Sequence, residues 1–289
     1  MILIGENINI VSQSIGVAIR QREAQPIREL TSRISAMDYL DLNIGPAKKD
    51  GPEVISWLID QVRSVSSLPL CLDTTNPQAL LSGLEKLPGE PVLINSISLQ
   101  AERLEKILPL ASQSRVDVIG LLWGESGMPR DLNERCMLAV ELLLKTSQAG
   151  IPNHRVWIDP IATPVSGDIS QILSTIEFMQ ILEDIAPGCK SVVGLSNVSN
   201  GAPAALRHYL NAVYLIMLKR YGLYAAIVDG LDSELLAISR GERPDLEKMV
   251  HQVMDREQPI VESGSTMEKY YKTALVLNGR SIFSNAWLD

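Results

Sequence analysis

Residues 68–77 read LPLCLDTTNP. A short apolar run stops at Asp73, and three residues later Asn76-Pro77 marks the start of a helix. An asparagine there accepts from the first free backbone N–H groups, and proline suits the first turn because its missing N–H would have no partner. The helix it opens is expected over Ala79–Leu87. The stretch therefore reads as one strand–helix unit. If the unit repeats, the strands are parallel and the helices are crossovers between them.

It repeats eight times. The apolar runs are ILIG (2–5), YLDLNIG (39–45), LPLCLD (68–73), PVLIN (91–95), DVIGLLW (117–123), VWID (156–159), SVVGLS (191–196) and AAIVD (225–229). Most are rich in Val, Ile and Leu, as strands buried on both faces are. Markers at Ile4, Asp41, Leu72, Ile94, Gly120, Ile158, Gly194 and Ile227 are 22 to 38 residues apart, the period of a strand–helix unit rather than a hairpin. Helices are expected between them, over Pro52–Val65, Asp131–Ser147 and Asp168–Ile185 among others. The fold class is α/β: a single (β/α)8 TIM barrel over about 1–240, within one domain of residues 1–289. An open doubly wound sheet is the alternative, but its glycine-rich turn is missing after the first strand, where the chain reads GENIN. GERPDLEKMVHQVMD (241–255) and TMEKYYKTALVLNG (266–279) predict two helices beyond the barrel, a C-terminal extension over 241–289. Its segment YYKTALVLNGRSIF is expected to cap the barrel's base or to bury a homodimer interface.

The 289 residues carry a net charge of −8, and the pI is about 5.1. Nucleic acid and anionic membranes are thereby disfavoured as partners, since both need a basic face. Only 4% of the chain is aromatic, so the core is aliphatic. Cys71, Cys136 and Cys189 form no CxxC pair and read as three buried thiols of a reduced, cytoplasmic protein. MILIGENINIV lacks the basic start of a signal peptide. The longest apolar stretch is cut by Lys219 and Arg220, and reads as a core helix and a strand rather than a membrane span.

Seven of the eight runs end in polar side chains: Glu6, Asn7 and Asn9; Asp41 and Asn43; Asp73; Asn95 and Ser96; Asp159; Asn197; and Asp229. Any one of them alone is as well explained as a turn or helix cap, and capping is the preferred reading of Asp50, Asp131 and Asp168. Together they form a ring at the barrel's active-site face. Absences narrow its chemistry. No HxH follows the first strand and His154, His208 and His251 are scattered, so no metal site is expected. No lysine stands at a C-terminal strand end; Lys190 precedes its strand, which argues against Schiff-base chemistry. GESG (124–127) reads as a loop. A cavity of Asp, Asn, Ser and Glu suits a flat heterocycle with alternating donors and acceptors, such as a 2-amino-4-oxo pyrimidine edge, the polar edge of a pterin.

IGENIN (4–9), LDLNIGP (40–46), LCLDTTN (70–76), LINSIS (93–98), IDP (158–160), GLSNVS (194–199) and AAIVD (225–229) fall in the order found in pterin-binding barrels. The chain most resembles the methyltetrahydrofolate:corrinoid protein methyltransferases. SNGAP followed by RHYLN (207–211) is also similar to the folate module of cobalamin-dependent methionine synthase. The resemblance implies that Asp73, Asn95 and Asp159 bind the pterin edge and that Asn197 meets the ring nitrogen carrying the methyl group. It places Asn200 and Arg207 near pterin or tail, in a loop that departs from the family pattern. The remaining members of the ring, Glu6, Asn9, Asp41, Asn43, Ser96 and Asp229, complete the candidate substrate site. The implied reaction moves a methyl group between 5-methyltetrahydrofolate and the Co(I) corrinoid of a separate corrinoid protein. The cobalamin motif DxHxxG is absent here, so the corrinoid is expected on that partner. The loop LLWGESGMP diverges at Trp123 and Glu125, which leaves the partner's identity open. Dihydropteroate synthases share the fold, but their lysine after the seventh strand and their Arg-x-His at the end of the eighth are missing. A non-catalytic folate-binding subunit is the third reading.

Overall fold

In a computed structural model, which describes residues 1–114 and 116–288, eight parallel strands close into a barrel in sequence order. The strands are β1 (Ile2–Asn9), β2 (Tyr39–Asn43), β3 (Leu70–Asp73), β4 (Val92–Ile97), β5 (Asp117–Leu121), β6 (Val156–Asp159), β7 (Lys190–Gly194) and β8 (Ala225–Val228). The helices are α1 (Gln13–Gln21), α2 (Ala24–Arg33), α3 (Gly51–Arg63), α4 (Pro77–Lys86), α5 (Ala101–Ser114), α6 (Leu132–Gln148), α7 (Ile169–Ile185), α8 (Arg207–Arg220), α9 (Ser233–Ser239), α10 (Pro244–Met254) and α11 (Thr266–Leu277). The expected (β/α)8 architecture with extra C-terminal helices is what the chain adopts.

Strand alternation sorts the core into two clusters. Leu40, Leu42, Leu70, Leu72, Ile94, Val118, Ile158 and Val193 pack outward among the helices. Ile4, Cys71, Leu93, Ile119, Trp157, Val192, Ala225 and Ile227 pack together inside the barrel. Two residues further along the same inward face come Asp73, Asn95 and Asp159, and the pairing sets Asn43, Asp73 and Asn95 side by side on neighbouring strands. The floor is at the opposite end. There Asp117 accepts from Trp157 Nε1 and from Lys190 Nζ, both at 2.8 Å, and Tyr39 and Tyr224 meet the Trp157 ring edge-on. Lys190 thus closes the floor, far from the mouth.

Asn76 caps α4 through Gln78 N and Ala79 N, and Asp131 and Asp168 cap α6 and α7. Asp50 does not cap α3 with its side chain; it pairs with Arg22 at 3.0 Å. The first strand is longer than expected. It runs on to Asn9, so Glu6, Asn7 and Asn9 belong to the strand itself. Cys71 is buried, whereas Cys136 on α6 and Cys189 before β7 are only partly so, a correction to the expectation of three buried thiols.

Residues Tyr209–Leu218 of α8 are all buried, because α9, α10 and α11 cover the side of α8 turned away from the barrel. The C-terminal helices therefore lie beside α8 rather than under the barrel. Tyr270, Thr273, Ala274, Val276 and Leu277 of α11 are buried within the chain. Asp289, the last residue of the expected extension, lies outside the described residues. No helix of the described residues is long and apolar enough to cross a membrane.

Candidate active site

The β2–β4 side of the mouth is a hydrogen-bonded row. Asn43 Nδ2 donates to Asp73 Oδ2, and Asn43 Oδ1 accepts from Gly45 N at 3.0 Å. With both ends engaged, Asn43 orients Asp73. Asn95 Nδ2 donates to Asp41 Oδ1 at 3.4 Å, which turns the Asn95 carbonyl away from Asp41. Arg103, in the first turn of α5, donates to Ser96 Oγ at 3.4 Å.

Burial dominates the acid chemistry of the mouth. It pushes Asp73 up to about 6, against the opposing effects of the Asn43 amide and the Arg103 charge. Asp41 is held well above the carboxylate range by burial and then by repulsion from Asp73. Asp159, at the end of β6, is pushed up to about 7 by burial, although its Oδ1 accepts from Ile161 N at 2.8 Å. Burial of this kind disfavours the carboxylate charges. A ligand edge rich in N–H donors supplies what they lack.

The β7–β8–β1 side is built differently. Ser196 Oγ donates to Glu6 Oε1. Burial raises Glu6, against that hydrogen bond and with the Asp229 charge. Asn7 Nδ2 donates to Asp229 Oδ1 at 2.6 Å, and Asn7 Oδ1 accepts from Gly230 N at 2.7 Å. Asn9 Oδ1 accepts from Val11 N at 3.0 Å and serves its own turn. Arg207 opens α8 and donates from Nε to Ala202 O at 2.9 Å. Asn200 is exposed. Glu6, Asn9, Ser196, Arg207 and Asp229 share a cavity of about 580 Å³.

Asn197 stands apart from both rows. It lies in the short 3-10 turn Leu195–Ser199 directly after β7, is exposed, and makes no side-chain hydrogen bond among the described residues. It is therefore not a cap. Gly194 leaves room for it: a Cβ at that position would stand 3.0 Å from Asn197 Nδ2. The structure thus brings every sequence-derived candidate to the same end of the barrel, but in three groups with different partners.

Asn7 is in the sequence-derived ring but not among the candidate substrate residues, and Arg103 is in neither. Asn7 falls out of strand alternation because the β1–β2 register shifts between Gly5 and Ile8, a bulge that re-aims side chains. Arg103 lies on a helix rather than at a strand end. Its readable signal is a cation in a helix's first turn, where the helix dipole opposes it. Among the described residues, no group of three or more His, Cys, Asp and Glu is placed to hold a metal ion.

A methylcorrinoid:tetrahydrofolate methyltransferase of Eubacterium limosum is 24% identical over 240 residues, covering 82% of this chain and 88% of that protein. A methionine synthase of Mycobacterium leprae is 30% identical over 227 residues, covering 75% of this chain and 19% of that much longer enzyme. Among solved structures, a dihydropteroate synthase of Coxiella burnetii in complex with pteroic acid superposes with a TM-score of 0.61 at 16% identity, over 84% of this chain and 94% of that one. That likeness carries the fold alone. The family model described as pterin binding enzyme matches residues 41–229, from the buried aspartate of β2 to the aspartate that follows β8. The chain belongs to the pterin binding enzyme family.

Proposed function

We propose that the chain is a methyltransferase that moves a methyl group between 5-methyltetrahydrofolate and the Co(I) corrinoid of a separate corrinoid protein. The observation that carries this reading is Asn197: an exposed amide without a side-chain hydrogen bond among the described residues, beside a mouth of buried carboxylates. Asp73, Asn95 and Asp159 hold the pterin edge, and the amide of Asn197 faces the ring nitrogen that bears the methyl. When the nitrogen–methyl bond breaks, the electron pair stays on nitrogen and a proton must arrive there. An amide accepts from a protonated nitrogen or donates to an unprotonated one, so it follows that change without a fixed buried charge. Its interaction is strongest where charge develops. The likeness to the Eubacterium limosum enzyme supports the methyl-transfer chemistry.

A dihydropteroate synthase reaction is the second reading, favoured by the fold likeness. Against it, an asparagine turn follows β7 where that family has its lysine, and Asp229-Gly230-Leu231 follows β8 in place of Arg-x-His. The test is anaerobic mixing of the purified protein with 5-methyltetrahydrofolate and Co(I) cobalamin. Protein-dependent appearance of the methylcobalamin spectrum is expected. Its absence, with condensation of a pterin and p-aminobenzoate instead, would favour the second reading.

A further inference from the structure

Arg103 is a cation at the mouth with no ion pair among the described residues; its guanidinium hydrogen bonds only to Ser96 Oγ. With Lys48 and Lys106 it lines a cavity of about 660 Å³ that also presents Thr75, Gln78 and Gln100. The two acids on that cavity are already engaged. Glu102 pairs with Lys106 at 2.8 Å, and Glu125 accepts from Ala101 N at 2.6 Å. The cavity beyond β8 has the opposite character. Glu6, Asp229 and Asp232 line it with Arg207 and His208, and Arg207 already donates to a backbone carbonyl.

A reduced folate carries carboxylates at the end of its tail. An acidic wall repels them, whereas a guanidinium offers paired donors in the geometry a carboxylate accepts. Resting on the pterin reading above, we propose that Arg103, with Lys48, receives the glutamate carboxylates of the folate, so that the tail leaves the pterin over the β3–β4 rim. The rim's three cations outnumber its two acids by one, so a tail with a further γ-linked glutamate is a better ligand than one glutamate.

The experiment is calorimetric titration of the whole protein and Arg103→Met with tetrahydropteroate, tetrahydrofolate and its triglutamate. Wild type should bind the glutamate forms more tightly than tetrahydropteroate, and the preference should shrink as salt is raised. Measured at pH 8, well above the Asp73 value, Arg103→Met should lose about tenfold more affinity for tetrahydrofolate, the scale of one charge-assisted pair, than for tetrahydropteroate. Arg103→Lys should recover part of the loss. The proposal is overturned if Arg103→Met weakens both ligands equally, which would mean that Arg103 acts on the pterin edge through Asp73. It is equally overturned if tetrahydrofolate binding is unchanged, or if wild type shows no preference for glutamate. Wild type binding none of the three would instead remove the pterin reading itself.

Discussion

Asn43 is fastened at both ends, its amide nitrogen to the Asp73 carboxylate and its oxygen to Gly45 N, so the β3 aspartate is aimed by the end of β2. The pair makes Asn43 a positioning residue with a readable pH signature. Burial pushes Asp73 up to about 6, and a donor-rich ligand favours its ionised form. Affinity should therefore be level above that pH and fall below it, as protons compete with ligand. Asn43→Ala removes a donor to the carboxylate and raises Asp73 further. The fall should then begin at higher pH, and the loss relative to wild type should grow as pH falls, approaching about tenfold below pH 6. Calorimetric titration with tetrahydrofolate from pH 5.5 to 8.5 checks this; an unmoved pH dependence would show that Asn43 does not act through Asp73.

Asp159 sets binding against stability. Burial raises its folded-state value to about 7, above the roughly 3.9 of an unfolded chain. The folded protein then binds more protons than the unfolded one between these values, and this group's contribution to stability falls as pH rises through that window. Asp159→Asn keeps an acceptor for Ile161 N and removes the charge. It should raise stability at pH 8 by about 1–3 kcal/mol, change it little at pH 4.5, and weaken pterin affinity by about 1–3 kcal/mol. Thermal melts at the two pH values decide; equal changes in Tm at both would contradict the account.

Gly194→Ala tests the room left for Asn197. The new Cβ would stand 3.0 Å from the amide nitrogen and move it by a few tenths of an ångström. Transfer should slow severalfold, because reacting groups tolerate little misplacement, with tetrahydrofolate affinity and Tm close to wild type. An unchanged kcat would mean that the position of the amide is not critical.

The barrel was legible because two signals agreed. Runs such as VWID end in acid at β6, and Asn76-Pro77 starts a helix where the chain must turn back. Strand parity then places Asp73 with Cys71, and Asp159 with Trp157, on the inner face. Parity failed at β1, where a register shift takes Asn7 to Asp229. It could say nothing of Arg103, whose helix has no parity with a strand. The docking of α10 and α11 was equally out of reach from local pattern, although α8 carried a hint: RHYLNAVYLIMLKR is apolar on nearly every side, as a helix covered on both faces must be.

That hint gives a stability prediction. Truncation after Gly241 uncovers the outer face of α8, where Tyr209 and Tyr270 pack edge to face at 4.9 Å. The shortened protein should aggregate or melt far below wild type. A soluble, cooperatively folding barrel in light scattering and thermal melts would show that α10 and α11 are dispensable to the fold.

The account's central claim is methyl transfer assisted by Asn197, and single-turnover transfer from 5-methyltetrahydrofolate to Co(I) cobalamin, wild type against Asn197→Ala, tests it most directly. The account predicts transfer by wild type. It predicts a rate lowered by up to about 10²-fold in the variant, the low end for a lost preorganised group because water replaces an exposed amide, with folate affinity within a few-fold of wild type. Wild-type rates in Asn197→Ala, at equal affinity, would contradict it.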